Sequence, residues 1–184
     1  MQMFGYLCDR KIFIDMFPPI PSFQTSRLIA VAARPAMGKT PFLCALAQER
    51  SNQYPVLIKS LEYSEKQILN KLSYPVESIL IDDAPHLSFQ ELESCVRDMV
   101  VTHRIKTVII DYVNLIRDIE ADAIFSALKS LAQELDIEII AGVLVPRRQD
   151  GVKDPTVTLA DLPMKGTEPI DEFIPLESQM QYCV

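Results

Sequence analysis

The chain has 184 residues, 48% of them hydrophobic and 23% charged. That suits one domain with a full core, and no apolar run reaches the roughly 18 residues that a membrane span needs. The formal net charge of −7 would repel nucleic acid through the overall field. Any DNA contact must therefore come from a local basic patch or a neighbouring subunit.

Residues 1–26 read as a lead-in. Their start, MQMFGYLCDRKIFIDMF, mixes acidic and basic residues among apolar ones and has no clean signal-peptide core, so a soluble, cytoplasmic protein is expected. The four cysteines, Cys8, Cys44, Cys95 and Cys183, form no CxxC pair. Metal or disulfide spacing is absent, and small buried hydrophobes are the better reading.

From Arg27 the chain alternates strand and helix patterns. RLIAVAA (Arg27–Ala33) is a continuous apolar run bounded by a turn, which predicts a buried strand. A helix follows from Gly38 to about Glu49, with Pro41 tolerated in its first turn. PVLIKS (Pro55–Ser60) predicts a second strand. Ser64–Leu72 predicts a short helix with Ser64 as N-cap, and Ser78–Asp82 a third strand. Asp82 and Asp83, ahead of Pro85, suit a turn. Ser88 and Glu91 have capping-box spacing ahead of a helix to about His103, whose cationic form would suit the last turn.

TVIID (Thr107–Asp111) predicts the fourth strand. Ala123–Leu135 predicts an amphipathic helix with Ile124, Leu128, Leu131 and Leu135 on one stripe, and Glu138–Val145 the fifth strand. Strands separated by helices of this length imply an α/β domain, with a mostly parallel sheet covered on both faces. Residues 27–145 are thus the core. Residues 146–184, punctuated by Pro146, Pro155, Pro163, Pro169 and Pro175, belong to the same domain as irregular chain with one more short strand near Phe173–Leu176.

Ala33-Arg34-Pro35-Ala36-Met37-Gly38-Lys39-Thr40 fits the Walker A spacing, with Ala33 in place of the first glycine. It lies between a strand and a helix, as that motif requires. Backbone N–H groups of such a loop and helix start point at phosphates. Gly38 lacks the Cβ that would block close approach. Lys39 supplies a cation to the β- and γ-phosphates, and the Thr40 hydroxyl ligates magnesium. ATP and Mg2+ are the implied cofactors. Pro41 has no N–H to offer the α-phosphate, a loss of about 1–2 kcal/mol of affinity on the scale of bonds to charged groups. Asp111 ends the fourth strand, at the crevice where open α/β sheets bind ligands, and is the candidate to hold the metal, directly or through water. Glu62 follows the second strand; taken alone it reads as a solvated loop glutamate.

These residues, in this order, resemble the C-terminal RecA-like P-loop ATPase domain of DnaB-family replicative helicases, from about Leu28 to Asp161. AARPAMGKT (Ala32–Thr40) is close to that family's phosphate loop, including the Arg-Pro pair. SLEYS (Ser60–Ser64) is similar to its SLEMS segment, and the resemblance gives Glu62 the role of catalytic base. IDDAPHLSFQEL (Ile81–Leu92) resembles IDDTPGLTIEEL. VIIDYVNLI (Val108–Ile116) resembles VIDYLQLM, which makes Asp111 the Walker B residue. LKSLAQELDIEIIA (Leu128–Ala141) resembles LKALAKELNVPVIA.

The departures are specific. Where the family carries SQLNR, with a glutamine that senses the γ-phosphate, this chain has Val143-Leu144-Val145-Pro146-Arg147, and a leucine side chain cannot hydrogen-bond a phosphate. Arg147 matches the family arginine. Farther on, Asp161–Gly166 keeps only a leading Asp-Leu and a glycine of the family stretch. The family's N-terminal lead-in is not recognisable in residues 1–27, and its C-terminal strands and arginine finger lie beyond Val184.

The resemblance implies ATP hydrolysis linked to DNA unwinding in replication, in a homo-oligomer (a hexamer in the family) or alongside helicase subunits. Single-stranded DNA is the implied partner, with Arg147, Arg148 and Lys153 as its candidate contacts. The departures support a second reading, a nucleotide-binding regulatory or helicase-interacting module with little turnover. In isolation a weak ATPase is expected, because a finger supplied in trans is worth about 10³–10⁵ in rate.

Overall fold

Six short runs, mostly apolar and, in the four central strands, almost wholly buried, set the architecture. β1 (Arg27–Ala33), β2 (Val56–Ser60), β3 (Ile79–Asp82), β4 (Thr107–Asp111), β5 (Glu138–Leu144) and β6 (Glu172–Leu176) form one sheet in the order β3-β2-β4-β5-β1-β6, with every pairing parallel. The computed structural model describes residues 18–72, 77–84, 88–146 and 156–176. The mostly parallel sheet expected from the sequence is thus fully parallel, and the strand expected near Phe173–Leu176 is β6, at the sheet edge beside β1.

The helices α1 (Lys39–Arg50), α3 (Phe89–His103) and α4 (Ile124–Leu135) fall where the sequence places them, and α2 (Glu65–Leu69) starts as expected after Ser64 but ends three residues short of Leu72. Strand side chains alternate between two faces. Ile29, Val31, Ile58, Ile109 and Ile140 pack with Phe42, Leu43 and Leu46 of α1 and with Ile68 of α2. Leu28, Ala30, Val108, Ile110 and Ile139 pack with Leu92 and Val96 of α3 and with Phe125 and Leu128 of α4. The chain therefore runs outward from β1 to β3 over one face and returns through β4 and β5 over the other. That reversal opens a crevice at the C-terminal ends of the central strands, the usual ligand position in open parallel sheets.

Local devices fix the helix starts. Ser88 and Glu91 form the expected reciprocal box at the start of α3: the Glu91 N–H donates to Ser88 Oγ at 3.1 Å and the Ser88 N–H to Glu91 Oε2 at 2.8 Å. Ser64 and Gln67 do the same for α2. His103 sits in the last turn of α3 as expected, and Arg104 closes the helix in a left-handed conformation.

Asp82 accepts from the Ala84 N–H at 3.0 Å, the turn role read from sequence, but it also pairs with Lys59 at 2.8 Å. The Lys59 side chain is buried. Burial opposes ionisation of Asp82, yet the Lys59, Ala84 and Cys95 hydrogen bonds and the lysine charge outweigh it and hold the carboxyl below its ordinary range. Asp83 accepts from the Glu65 N–H at 2.8 Å and so steadies the start of α2.

Of the cysteines, Cys44 is the buried hydrophobe anticipated, its thiol pushed up to about 12 by burial first and then by the Asp111 charge. Cys95 departs from that reading: it is half-buried and donates to Asp82 at 3.3 Å. Cys8 and Cys183 lie outside the described residues.

Candidate functional site

Because every strand is parallel, the chain leaves β1, β2, β4 and β5 at one edge of the sheet. Ala33, Ser60, Asp111 and Leu144 are the last residues of these strands. From Ala33 the chain turns at once. The Met37 N–H donates to the Arg34 carbonyl at 3.2 Å, closing a four-residue turn with Pro35 second and Ala36 third at φ 68°. Proline sets the second position of such a turn, and the third needs positive φ. Gly38 then takes φ 81° as the N-cap of α1, a left-handed conformation that costs glycine nothing. Pro41 is the third residue of α1, where no intrahelical N–H is lost.

The turn delivers Lys39 and Thr40, both buried, to the end of β4. Lys39 Nζ pairs with Asp111 Oδ1, and Thr40 Oγ1 donates to Asp111 Oδ2 at 2.7 Å. Residues 71 and 72 positions apart in sequence thus share one carboxylate. The Lys39 ammonium also lies 4.6 Å from the centre of the Tyr112 ring, a cation–π contact. The Leu61 N–H donates to the Asp111 carbonyl at 2.7 Å, so the segment carrying Glu62 is tied to the same strand end.

Glu62 is exposed but placed. Burial comes first, followed by the Glu62 and Asp111 charges, in raising both the Tyr63 and the Tyr112 phenols above their ordinary value, and Tyr63 also hydrogen-bonds to Glu62. The structure therefore gathers Lys39, Thr40, Asp111 and the Glu62 segment at one strand edge. It adds two residues that sequence reasoning passed over, Tyr63 and Tyr112. Of the remaining loop residues, Ala33 and Arg34 are buried, Pro35 and Met37 half-buried, and Ala36 exposed. Arg147, Arg148 and Lys153 lie outside the described residues, and so does His86.

At the end of β5, Asn114 clamps Leu144 with both ends of its amide. The Leu144 N–H donates to Asn114 Oδ1 at 2.9 Å, and Asn114 Nδ2 donates to the Leu144 carbonyl at 3.1 Å. The side chain replaces the neighbouring strand that β4 no longer provides there.

Gly142 faces Asp111 across the β4–β5 ladder. A Cβ on it would meet Ile110 O and Leu43 Cδ1 at 3.0 Å and Asp111 Oδ1 at 3.3 Å. Gly142→Ala is therefore expected to destabilise the fold by about 1–3 kcal/mol, the usual cost of overfilling a packed site. Urea unfolding of the two proteins measures it, and an unchanged midpoint would show that the strand end has slack.

A hydroxyl and a carboxylate 2.7 Å apart, with an ammonium beside them, can hold a hard divalent cation together with an anion. Among the described residues no cluster of three or more histidine, cysteine or acidic side chains is arranged for a metal, so a cation would draw its other ligands from the anion and from water. Among the described residues no helix is long and apolar enough to cross a membrane.

The DnaB-like helicase C-terminal domain model matches residues 13–78 and 73–169. Curated relatives include the replicative DNA helicase DnaB of Nostoc sp., 28% identical over 89% of this chain and 23% of that protein. The DnaB of Geobacillus stearothermophilus is 28% identical over 84% of this chain and 43% of its own length. A probable replicative DNA helicase of Trieres chinensis is 29% identical over 70% of this chain and 38% of that protein. The chain spans less than half the length of each. A solved DnaB-like replicative helicase, described with its interactions with primase, superposes with a TM-score of 0.70 at 23% identity, covering 82% of this chain and 47% of that one.

Proposed function

The chain belongs to the DnaB-like helicase C-terminal domain family and has its RecA-like α/β fold, and on that premise we propose that residues 33–41, with Asp111 and Glu62, bind and hydrolyse ATP with magnesium in support of DNA unwinding at replication. The observation that carries this reading is the single carboxylate of Asp111, which receives both Lys39 and Thr40 at the start of α1.

The donor set fits the metal. Threonine hydroxyl and aspartate carboxylate are hard oxygen ligands, as magnesium prefers. Adjacent ligands in an octahedron with bonds of 2.0–2.1 Å stand about 3.0 Å apart. Thr40 Oγ1 and Asp111 Oδ2 at 2.7 Å need to separate by only a few tenths of an ångström, or to share a water. When bound, the cation would neutralise charge on the phosphates and orient them.

The chain's own residues do the rest. The loop N–H groups and the N-terminus of α1 receive the phosphates. Lys39 exchanges its Asp111 partner for the β- and γ-phosphate oxygens. Glu62, at the neighbouring strand end, takes the proton of the attacking water. Tyr63 and Tyr112, whose phenols are held neutral by burial and by nearby negative charge, do not compete as bases. Arg147, Arg148 and Lys153 are proposed contacts to single-stranded DNA. A neighbouring copy in a ring would supply the charge-stabilising arginine.

Binding with little turnover is the second reading. It is favoured by Leu144, which brings no polar side chain to the end of β5, and by Pro41, which removes one N–H from the start of α1. Stimulation of hydrolysis by single-stranded DNA separates the two, because the module reading requires flat, near-zero turnover with or without it.

The underlying test is calorimetric titration of ATP with magnesium. Lys39→Ala should weaken binding by about 10–100-fold, the scale of a charge-assisted hydrogen bond. Equal affinity in the two proteins would remove the nucleotide from this site.

A further inference from the structure

Among the described residues, a second cation at the same strand edge is left without a counter-charge. Arg34 opens the loop directly after β1, and its side chain is only 9% exposed. Nη1 donates to the Pro146 carbonyl at 3.3 Å. Nε and Nη2 are also buried, and neither has a hydrogen-bond partner. The contrast within the molecule is direct: Arg50, also buried, has Glu138 at 2.7 Å. Burying a charged group without a partner is costly, and unpaired buried donors in a folded protein call for a reason.

The identity of the two unpaired atoms supplies one. Nε–H and the adjacent Nη2–H lie side by side on one edge of the planar guanidinium. That edge matches two oxygens of a phosphate or carboxylate bidentately. The residue belongs to the loop that brings Lys39 and Thr40 to Asp111 at the end of β4, so the anion most readily brought there is one the loop itself collects.

We propose that Arg34 is an oxyanion receptor, taking two phosphate oxygens on its Nε–Nη2 edge, and that the terminal phosphate of the bound nucleotide supplies them. This rests on the nucleotide reading of residues 33–41 and extends it. Lys39 reaches the β-phosphate that ADP and ATP share as well as the γ-phosphate, whereas Arg34 reads only the terminal group that distinguishes them. Its other edge holds Pro146, two residues beyond the end of β5. An oxygen pair drawn onto Nε and Nη2 therefore bears on the hydrogen bond that holds the chain as it leaves β5, which links nucleotide state to that segment through one side chain.

The test titrates ATP, ADP and a single-stranded oligonucleotide into the full chain and into Arg34→Met and Lys39→Ala, alongside thermal unfolding without ligand. Arg34→Met removes an unmatched buried charge, so its unfolding temperature should not fall. Its ATP affinity should drop at least about tenfold, the scale of a charge-assisted hydrogen bond, with ADP affinity within about twofold. Lys39→Ala should weaken both nucleotides. If Lys39→Ala binds them as the parent does, the nucleotide reading fails, and the oligonucleotide arm alone decides whether Arg34 takes a phosphate. If Arg34→Met keeps the ATP-to-ADP ratio but loses oligonucleotide affinity with a shallower salt dependence, the oxyanion is a nucleic-acid backbone phosphate. An unchanged ratio with unchanged oligonucleotide affinity overturns the proposal, as does a lowered unfolding temperature with no loss of either ligand.

Discussion

Replacing Glu62 with glutamine is expected to lower kcat for ATP hydrolysis by about 10²–10⁴-fold, the usual contribution of a positioned general base, while nucleotide affinity stays within about twofold. The two side chains have the same shape, and glutamine can still accept a hydrogen bond from Tyr63, but it cannot take a proton at neutral pH. Glu62 lies one residue past Leu61, whose N–H is bonded to the Asp111 carbonyl at 2.7 Å, so its backbone is fixed to the strand that carries the candidate metal ligand. The substitution leaves Lys39, Thr40 and Asp111 untouched. A fall in affinity equal to the fall in kcat/KM would assign Glu62 to binding, and an unchanged kcat would make it the solvated loop glutamate that it resembles in isolation. Single-turnover hydrolysis with a matched ATP titration gives both numbers.

What the sequence makes legible here is local. TVIID is an unbroken apolar run with an acidic end, so β4 and the position of Asp111 follow from its own residues. Gly38-Lys39-Thr40 after a strand marks the start of α1, because the Walker A spacing places the helix there and a proline is tolerated in the first turn. Ser88 and Glu91 announce α3 three residues apart. What stays hidden depends on contacts far apart in the chain. Nothing near Gly142 shows that its missing side chain leaves room for Asp111, since that space is defined by Ile110 and Leu43. Asn114 resembles an ordinary polar loop residue until β5 comes to lie beside it. Lys59, in the middle of an apolar strand, signals an ionic partner by its position alone, but Asp82 becomes that partner only when β3 pairs with β2 in register. Arg34 reads as part of a loop motif, and only its burial exposes the unmatched donors on its guanidinium.

The far end of the sheet explains how the site keeps its aim. α1 begins with Lys39 and ends with Arg50, about 16 Å away at 1.5 Å per residue. There the buried Arg50 donates through Nε to Glu138 Oε2 at 2.7 Å and through Nη2 to Glu138 Oε1 at 3.2 Å and to the Pro21 carbonyl at 2.7 Å. Thr107 Oγ1 adds a bond to Glu138 at 3.4 Å. Burial works against the Arg50 charge, but the Glu138 hydrogen bonds and charge, with a contribution from Glu49, prevail and raise it above the ordinary arginine value. The base of β5 is thereby pinned to the last turn of α1, where a cation also suits the helix dipole.

Glu138→Ala should cost about 3–5 kcal/mol of stability, because it strands a guanidinium inside the protein rather than simply deleting one attraction. Arg50→Met with Glu138→Leu removes both charges together and should cost clearly less than either single truncation, for the same reason. Guanidinium chloride unfolding of Arg50→Met, Glu138→Leu and the double closes that cycle. If the double proves as unstable as the sum of the singles, Arg50 and Glu138 are not coupled, and each stabilises the fold through its other contacts. If Glu138→Ala unfolds at the parent's midpoint, α1 is held by its apolar face alone. The same series probes the site from a distance: if the pin sets the angle of α1, the weakened but folded variants should lose nucleotide affinity although no residue near Lys39 or Asp111 has changed.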